Sequence, residues 1–586
     1  MKNLVLGASL LVLAFGAAPA SWAAESGADA QFKVLYTQEW TWRQAQRLED
    51  DEDDDANVIA SDLPKVDAAA QASRLTYWTQ VMTALDHIPV ASLSDREQVN
   101  YQVYRAQIAV LINDQKVRDY EKPLTADTAF WSNPASTAQG DFKTQADYEH
   151  YISQLKDLPR YFSEETANMR AGLARGFTPP KVTLAGRDVG IAAIADAKTA
   201  QATVYYKPFL TMPAVIPAAE QARLRAQGAA VITSAVIPAH KTLLAFVRGD
   251  YMPHARESLG ADKLPDGRAY YQSKLTEFAT TDMTPEQIHQ LGLDEMAKIH
   301  AEMLAAMKAA GFKGDLPAFL QFLRTDPQFY AKTPEELLMR TAYVAKQFDG
   351  VAAKYFGYLP RARFAIKPVP AEEAPFYTSG RGGTGVYLVN TYDLPSRGLY
   401  SMPALTLHES APGHAFQMPI ALEHKELPAF RRVYISAYGE GWALYCERLG
   451  TEMGIYQTPY ETFGMLSYQA WRAARLVVDT GLHTENWTRE QAQAYLRANT
   501  ALSNHEIETE VDRYISWPGQ AVSYYLGEAA IWKGRHKAEA ALGPKFNIRA
   551  FHDAVLELGS VPLPVLEAHI DRFIADGGKG PYPDME

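Results

Sequence analysis

The stretch LTLHESAPGHAFQMP at residues 405–419 begins like the metal-binding pattern H-E-x-x-H, because Glu409 directly follows His408. The second histidine of that pattern belongs four residues after the first, where this chain has Pro412, and the next histidine is His414. Histidines four apart share one face of a helix, whereas histidines six apart differ by roughly 240° of rotation and about 9 Å of rise. On an uninterrupted helix, His408 and His414 therefore do not bind the same ion.

The dipeptide Pro412-Gly413 allows two interpretations of this spacing. Proline removes the helical hydrogen bond to the carbonyl of His408 and bends the helix, while glycine permits a wider local turn. In the first interpretation, a wide turn brings His414 back beside His408 and leaves Glu409 over an open coordination position. In the second, Pro-Gly ends the helix and His414 caps the next one. These residues alone favour neither.

A helix farther along the chain offers the third ligand that such a metal site needs. The segment YISAYGEGWALYCERLG (residues 434–450) is helical in pattern and carries Glu440 between two glycines, 26 residues after His414. Glu447 lies seven residues later, on the same helix face. It is a candidate partner for a ligand histidine, a candidate ligand itself, or one half of a surface salt bridge.

Two further segments carry polar residues at helical spacing. WRAARLVVDTGLH sets Arg475, Asp479 and His483 at i, i+4 and i+8, which indicates either a partly buried polar network or a structural ion pair beside a hydrogen-bonded histidine. DRYISWPGQAVSYYLG (residues 512–527) surrounds a second Pro-Gly with tyrosines, among them Tyr524. A tyrosine hydroxyl placed there could donate to an oxyanion, although most tyrosines only pack in cores.

The composition is that of a soluble globular protein of 586 residues with a net charge of −12 and a pI near 5.7. This acidic balance argues against nucleic acid or an anionic membrane as the main partner. Lys2, an apolar run and small residues before Ala24 predict a signal peptide over residues 1–23 and a periplasmic or secreted protein without a membrane span after its removal. The lone Cys446 cannot form an internal disulfide and is expected in the core.

Helical periodicity dominates the chain. Capping threonines predict helices that begin after Thr284, Thr333 and Thr488, and the apolar residues 228–247 predict a buried helix. RFAIKPV (residues 363–369) and GVYLVNTY (residues 385–392) predict strands, the second after the glycine-rich SGRGGTG. We therefore expect a large, mainly α fold with a small β element just before the histidine motif.

The domain organisation follows from the same pattern. A soft boundary near residue 280 separates an N-terminal helical region, residues 24–280, from a C-terminal region, residues 281–586, that carries the motifs above. Neither region has the marks of an independent folding unit, so one continuous domain over residues 24–586 is expected.

Four blocks together resemble a known family. HESAPGHAFQ, EGWALY, RLVVDTGLH and PGQAVSYYLG…FHDAVLELGSVPL follow the order seen in a large bacterial family described only as a domain of unknown function, whose signature is H-E-x-x-P-G-H. The similarity runs from about residue 265 to the C-terminus. The family looks like a distant relative of the helical zinc peptidases typified by angiotensin-converting enzyme and thimet oligopeptidase, which implies a helical fold with a deep cleft. The chain departs from the family pattern at Ala415 and Asn486.

This resemblance implies roles for individual residues. His408, His414 and Glu440 would bind Zn²⁺, Glu409 would be the general base, and Tyr524 would match the tyrosine after Pro-Gly-Gln-Ala. The expected function is that of an exported zinc metallopeptidase, of oligopeptidase or carboxypeptidase type, acting on short peptides.

Tyr524 or His483 is expected to stabilise the oxyanion in that reaction. The segment TGVYLVNTY, which contains Tyr387, is a candidate edge strand for an extended peptide. Arg475, or Arg381 in the glycine-rich loop, is a candidate for the terminal carboxylate of a peptide.

Two other functions fit the sequence less well. The chain could be a non-catalytic exported helical binding protein with a structural or vestigial metal site, which Glu447 would close as a fourth ligand. A serine hydrolase is disfavoured because no G-x-S-x-G elbow occurs after residue 23.

Overall fold

The structure of the protein is a computed structural model that describes residues 27–47, 59–126, 128–371, 374 and 377–582. The expected signal peptide and the acidic run at residues 49–56 lie outside the described residues. The helices that precede the sheet are α1 (Ala28–Gln46), α2 (Ala68–Asp86), α3 (Asp95–Val117), α4 (Asn133–Thr137), α5 (Gln145–Ala174), α6 (Val189–Ala195), α7 (Lys207–Leu210), α8 (Ala218–Val231), α9 (Ile237–Phe246), α10 (Met252–His254), α11 (Gly267–Ala279), α12 (Pro285–Ala309), α13 (Leu316–Thr325), α14 (Pro334–Asp349) and α15 (Ala352–Tyr355).

A second series of helices follows the sheet and carries the predicted motifs. These helices are α16 (Met402–Glu409), α17 (His414–Glu423), α18 (Ser436–Glu452), α19 (Pro459–Thr484), α20 (Arg489–Asn499), α21 (Asn504–Ser516), α22 (Ser523–Leu542), α23 (Ile548–Leu556) and α24 (Leu563–Ala575). With only three short strands in the described residues, the mainly α fold with a small β element is confirmed.

The capping threonines stand where the sequence predicts them. Thr284 and Thr488 each form a reciprocal capping box with the glutamine three positions on, at the starts of α12 and α20. Thr333 accepts a hydrogen bond from the backbone of Glu336 at the start of α14. These helix starts were predictable because the cap is a local interaction that needs no tertiary partner.

The sheet contains β1 (Ala365–Pro368), β2 (Gly380–Gly383) and β3 (Val386–Val389) in the order β1-β3-β2. The central strand β3 is parallel to β1 and antiparallel to β2. The expectation that residues 384–392 form an edge strand is therefore wrong, and the two edge strands are β1 and β2. β2 comes from the glycine-rich segment that we expected to be a loop, because glycine is rare in strands unless another backbone approaches closely.

Three hydrophobic cores are distributed along the chain. The first joins α1–α3 to buried side chains between residues 331 and 573, including Trp442 and Phe551. The second lies around α11, α12, α19 and α21, and the third takes its residues from positions 63–255. Because the first core includes both the earliest and the latest helices, the N-terminal helices help to support the helices that carry the motifs.

The helical stretch Ala218–His254 is the one part of the described chain that is long and apolar enough to cross a membrane. Half of its most apolar window is buried inside the protein. Leu224, Ile232 and Leu243 on its inner face belong to the third core, so this stretch packs as a core helix does.

Candidate metal centre

The backbone between the two motif histidines leaves the helix and then starts a new one. α16 ends at Glu409 and α17 begins at His414. The intervening loop contains a cis peptide bond before Pro412 and is closed by a hydrogen bond from the Gly413 N–H to the Leu407 carbonyl, 3.0 Å. Pro-Gly therefore ends the first helix, as in the second interpretation, but Gly413 rather than His414 caps the next one.

This loop nevertheless returns His414 to His408. The two imidazole rings lie 5.0 Å apart between centroids, at an angle of 86°. A Cβ atom on Gly413 would lie 1.8 Å from the carbonyl oxygen of His408, so only glycine permits this close return of the chain. The indole of Trp442 holds the loop by donating a 2.8 Å hydrogen bond to the carbonyl of Pro412.

Glu440, on α18, completes a cluster with the two histidines. Its Oε2 lies 3.3 Å from the Nε2 of His408 and 3.3 Å from the Nε2 of His414. The three residues each offer one ligand atom, and these atoms all lie within 4.8 Å of one another. Two imidazoles and one carboxylate form the donor set that catalytic zinc sites use, with a position left for water or substrate.

Glu447 lies behind the cluster rather than in it. Its Oε1 accepts a 2.8 Å hydrogen bond from the Nδ1 of His408 and lies 3.2 Å from the Nη2 of Arg472. A carboxylate on the far ring nitrogen fixes the tautomer of a metal-binding histidine and turns Nε2 toward the ion. Nδ1 of His414 is buried and has no hydrogen-bond partner among the described residues.

Positive charge on the two histidines stabilises the carboxylate of the cluster. Burial alone would lower the pKa of His408, but hydrogen bonds to Glu440 and Glu447 raise it to about 9. Burial would raise the pKa of Glu440, but the adjacent His414 and His408 hold it well below the usual range. The carboxylate is thus ionised and stabilised by positive charge, the role that a bound cation would take.

Glu409 is positioned by the edge strand β2. Its Oε2 accepts a 2.6 Å hydrogen bond from the backbone N–H of Gly382. A Cβ atom on Gly382 would lie 1.6 Å from the backbone oxygen of Glu409, so the glycine allows β2 to contact the end of α16. The Glu409 carboxylate is close enough to act electrostatically on His408 and Tyr434.

Two tyrosines lie against the cluster. The ring of Tyr524 is nearly parallel to the imidazole of His408, with centroids 6.4 Å apart, and the ring of Tyr434 lies 6.4 Å from that of His414. Tyr434 is 42% exposed, yet burial around its hydroxyl and the nearby Glu440 raise its pKa well above the ordinary value. The Tyr434 hydroxyl is therefore protonated at neutral pH and can donate a hydrogen bond.

Three predicted site residues, His483, Tyr387 and Arg381, are not part of the histidine–glutamate cluster. His483 is fully buried, and its ring nitrogens bond the backbone N–H of Ala261 and the carbonyl of Tyr514, both at 3.0 Å. Eight residues of helix separate it from Arg475, about 12 Å of rise, so the two ends of this stripe cannot meet the same site. Tyr387 is fully buried on the central strand and presents no surface to a substrate, whereas Arg381 is exposed on β2. The expected roles of His483 in the oxyanion site and Tyr387 in substrate binding therefore do not fit the structure.

Arg475 lies near the cluster but is enclosed. Its guanidinium stands 4.3 Å from the ring centroid of Tyr524 and donates to Tyr514 and Glu510. Arg513, on α21, approaches the hydroxyl of Tyr524 to 3.4 Å.

Sequence reasoning missed Gly382, Tyr434, Arg472 and Arg513. Arg472 precedes Arg475 by three positions, so helical spacing was a signal that the two share a face. The other three reach the site through tertiary contacts that no local pattern encodes.

Comparison with known proteins agrees with the motif order. Residues 47–570 match a family described as "Bacterial protein of unknown function (DUF885)". The chain belongs to this family. The predicted membership in a bacterial family of unknown function is thereby confirmed for DUF885, while the likeness to helical zinc peptidases stays a prediction.

Two solved structures share the fold of this DUF885 chain. The crystal structure of a "putative lipoprotein" from Colwellia psychrerythraea has a TM-score of 0.85 and 26% identity, covering 94% of this chain and 100% of that chain. The structure of a "putative lipoprotein of unknown function" from Shewanella oneidensis has a TM-score of 0.67 and 17% identity, over 92% and 98% of the chains. A search of curated proteins finds no match.

Proposed function

We propose that the chain is an exported peptidase that binds zinc through His408, His414 and Glu440 and hydrolyses short peptides. The observation that carries the proposal is the convergence of two imidazoles and a carboxylate from three helices on one point. When bound there, zinc supplies Lewis acidity to a peptide carbonyl and to water. The predicted signal peptide and the description of both structural neighbours as "putative lipoprotein" support export.

Glu409 is the general base in this proposal. The Gly382 N–H holds Oε2, so Oε1 is the oxygen that takes the proton from water. The same carboxylic acid then gives the proton to the leaving amine. Holding one oxygen in place keeps the other in a fixed position, which is the condition for efficient proton transfer.

Tyr524 is the oxyanion donor. Its ring lies against His408, and its hydroxyl stands 3.4 Å from the Nη2 of Arg513. A hydroxyl beside a cation is a strong donor to developing negative charge, and a preorganised donor needs no rearrangement during the reaction.

The substrate backbone aligns along β2. β3 occupies one side of this strand, and the Gly382 N–H on the other side points to Glu409 rather than to a strand. An extended peptide beside β2 would have its scissile bond near the base, and it would pair with groups of β2 other than the Gly382 N–H, which bonds Glu409.

The test compares three variants for zinc content and peptide hydrolysis. Glu409→Gln is expected to retain about one zinc per chain while hydrolysis falls by a factor on the order of 10³. His414→Ala is expected to lose both. His424→Ala is the matched control, since His424 directly follows α17 and pairs with Glu426 and Tyr582 outside the cluster.

Full zinc binding by His414→Ala would contradict the proposed ligand set. Zinc binding by the parent protein without turnover of any peptide in a broad library would contradict the peptidase proposal and support a binding protein.

A further inference from the structure

Two arginines, Arg475 and Arg513, lie beside Tyr524. Arg475 donates from Nη2 to Glu510 at 2.8 Å and from Nε to the hydroxyl of Tyr514 at 2.9 Å. Arg513 donates from Nη2 to the side chain of Gln520 at 2.9 Å and lies 3.6 Å from Glu510. Both guanidinium groups are thus one tyrosine side chain away from the histidine–glutamate cluster.

This pair carries more positive than negative charge. The Arg475 and Arg513 guanidiniums overcome burial and hold the pKa of Glu510 below its ordinary value, so this carboxylate supplies one negative charge against two positive ones. Asp479 lies one helical turn beyond Arg475, and burial raises its pKa to about 7. Its carboxylate accepts a hydrogen bond from the hydroxyl of Tyr271. It therefore offsets the excess charge only in part at neutral pH.

Each arginine of the pair has one donor nitrogen that is not used in a hydrogen bond among the described residues. Nη1 of Arg475 and Nε of Arg513 are buried and without a hydrogen-bond partner in the described parts of the chain. The side chain of Arg475 is 2% exposed, whereas that of Arg513 is 22% exposed. Glu510 already pairs with both guanidinium groups, and of the two only Arg513 is accessible to a second anion from solvent.

We propose that Arg513, supported by Arg475, binds the free C-terminal carboxylate of a peptide whose scissile bond lies at the metal centre. This inference rests on the proposed function and names its substrate class as peptides with an unblocked C-terminus. Arg513 rather than Arg475 makes the contact, because only the Arg513 side chain is reached by solvent. Its Nη1, which lies 3.6 Å from Glu510, is the donor nearest to hand, since Nη2 already donates to Gln520 and approaches Tyr524.

Arg513 could instead serve only to position the hydroxyl of Tyr524, and this role predicts a different effect of its removal. If Arg513 only positions the hydroxyl of Tyr524, its removal weakens the reaction on every peptide alike. If it binds the terminal carboxylate, its removal affects peptides that end in a carboxylate and spares the corresponding amides. Matched acid and amide peptides therefore distinguish the two roles.

The experiment measures binding, so that it does not depend on turnover. A set of N-acetylated tetrapeptides, each as free acid and as C-terminal amide, is titrated into the full-length Glu409→Gln protein with zinc and followed by calorimetry. The acids are expected to bind about 10- to 100-fold more tightly than the amides, the size of a charge-assisted hydrogen-bond pair. Arg513→Gln is expected to abolish that preference and leave amide binding unchanged.

Two further variants complete the design. Arg513→Lys keeps the positive charge without the guanidinium and is expected to retain part of the preference. Arg489→Gln is the control, because it breaks the ion pair with Asp512 on the same helix α21 without touching the arginine pair.

Equal binding of acids and amides by the Glu409→Gln protein would overturn the proposal. It would also be overturned if adding Arg513→Gln lowered the affinity for acids and amides alike. Failure of the parent to hydrolyse any peptide would instead count against the proposed function, and the acid–amide comparison would still report on Arg513.

Discussion

Gly382 and Gly413 allow two backbones to contact the last turn of α16. A Cβ atom on Gly413 would meet the carbonyl oxygen of His408, and one on Gly382 would meet that of Glu409. The chain needs both approaches, because one returns His414 to the cluster and the other brings a backbone N–H to the proposed base. The geometry of the site thus depends on two residues that have no side chain.

Gly382→Ala is expected to lower peptide hydrolysis about 100-fold while zinc binding is retained. The added methyl group must push β2 away from α16, which breaks the hydrogen bond to Glu409 and displaces the base by a fraction of an ångström or more. Steady-state kinetics and zinc content on the same preparation check this.

Gly383→Ala is the control for that substitution. A Cβ atom on Gly383 has no neighbour within 4 Å, so this variant is expected to keep parental activity. Equal activity of the two variants would show that the contact between β2 and Glu409 does not position the base.

At this scale the sequence was informative about side chains with distinctive chemistry. His408, His414 and Glu440 were identified by residue type and spacing, and the structure brings them together. Arg513 could not be found in this way, because its contact with Tyr524 depends on the path of the loop that joins α21 to the start of α22. The backbone N–H of Gly382 could not be found either, since every residue except proline has one.

At the scale of elements, α18 and α22 cross in close contact and bring Glu440 and Tyr524 to the same centre. Gly441 and Gly527 face each other at the crossing, and a Cβ atom on Gly527 would lie 1.8 Å from the backbone oxygen of Ala437. The small residues are required because the helix backbones themselves touch.

Gly527→Ala is expected to destabilise the protein by about 1–3 kcal/mol or more, because the clash is with backbone that cannot rotate away. The helices must separate, so zinc affinity is expected to fall as well. Guanidinium unfolding and zinc titration measure the two effects.

Gly534→Ala, on the same helix α22, is the matched comparison. Its nearest neighbour is the terminal Cδ1 of Ile570, a flexible group that can move, and alanine favours the helix by roughly 0.5–1 kcal/mol. A larger loss of stability at Gly534 than at Gly527 would contradict the proposed crossing.

Some elements could be predicted from a few neighbouring residues, and others depend on contacts with distant parts of the chain. The caps at Thr284, Thr333 and Thr488 were predictable, because each is formed within four residues of chain. β2 was not, because its glycines serve a contact with Glu409 that lies 27 positions away in the sequence. The central position of β3 likewise depends on pairing with β2.

At the scale of the whole molecule, each hydrophobic core contains a buried histidine. His240 packs against Phe162 in the third core, His483 against Tyr271 in the second, and His552 against Phe356 in the first. Burial lowers their pKa values to about 4, 3 and 3 respectively. All three are neutral in the folded protein at neutral pH.

These histidines are expected to make the folded state sensitive to acid. An unfolded histidine has a pKa of about 6.5, so between pH 6.5 and the folded value the unfolded chain binds a proton that the folded chain does not. Stability is therefore fully present above pH 6.5 and falls as the pH drops toward 3–4. Each histidine contributes a slope on the order of 1 kcal/mol per pH unit.

His552→Gln isolates one of these contributions. The imidazole of His552 bonds the hydroxyl of Tyr445 and the carbonyl of Tyr355, so the variant is expected to be less stable at pH 7. Because glutamine does not titrate, its unfolding free energy is expected to fall less steeply than that of the parent between pH 6.5 and 4. Urea unfolding at several pH values, with a chelator present so that zinc release does not contribute, measures both slopes, and the exposed His505→Gln should keep the parental slope. A parental slope in His552→Gln would mean that this buried imidazole is not neutral in the folded protein.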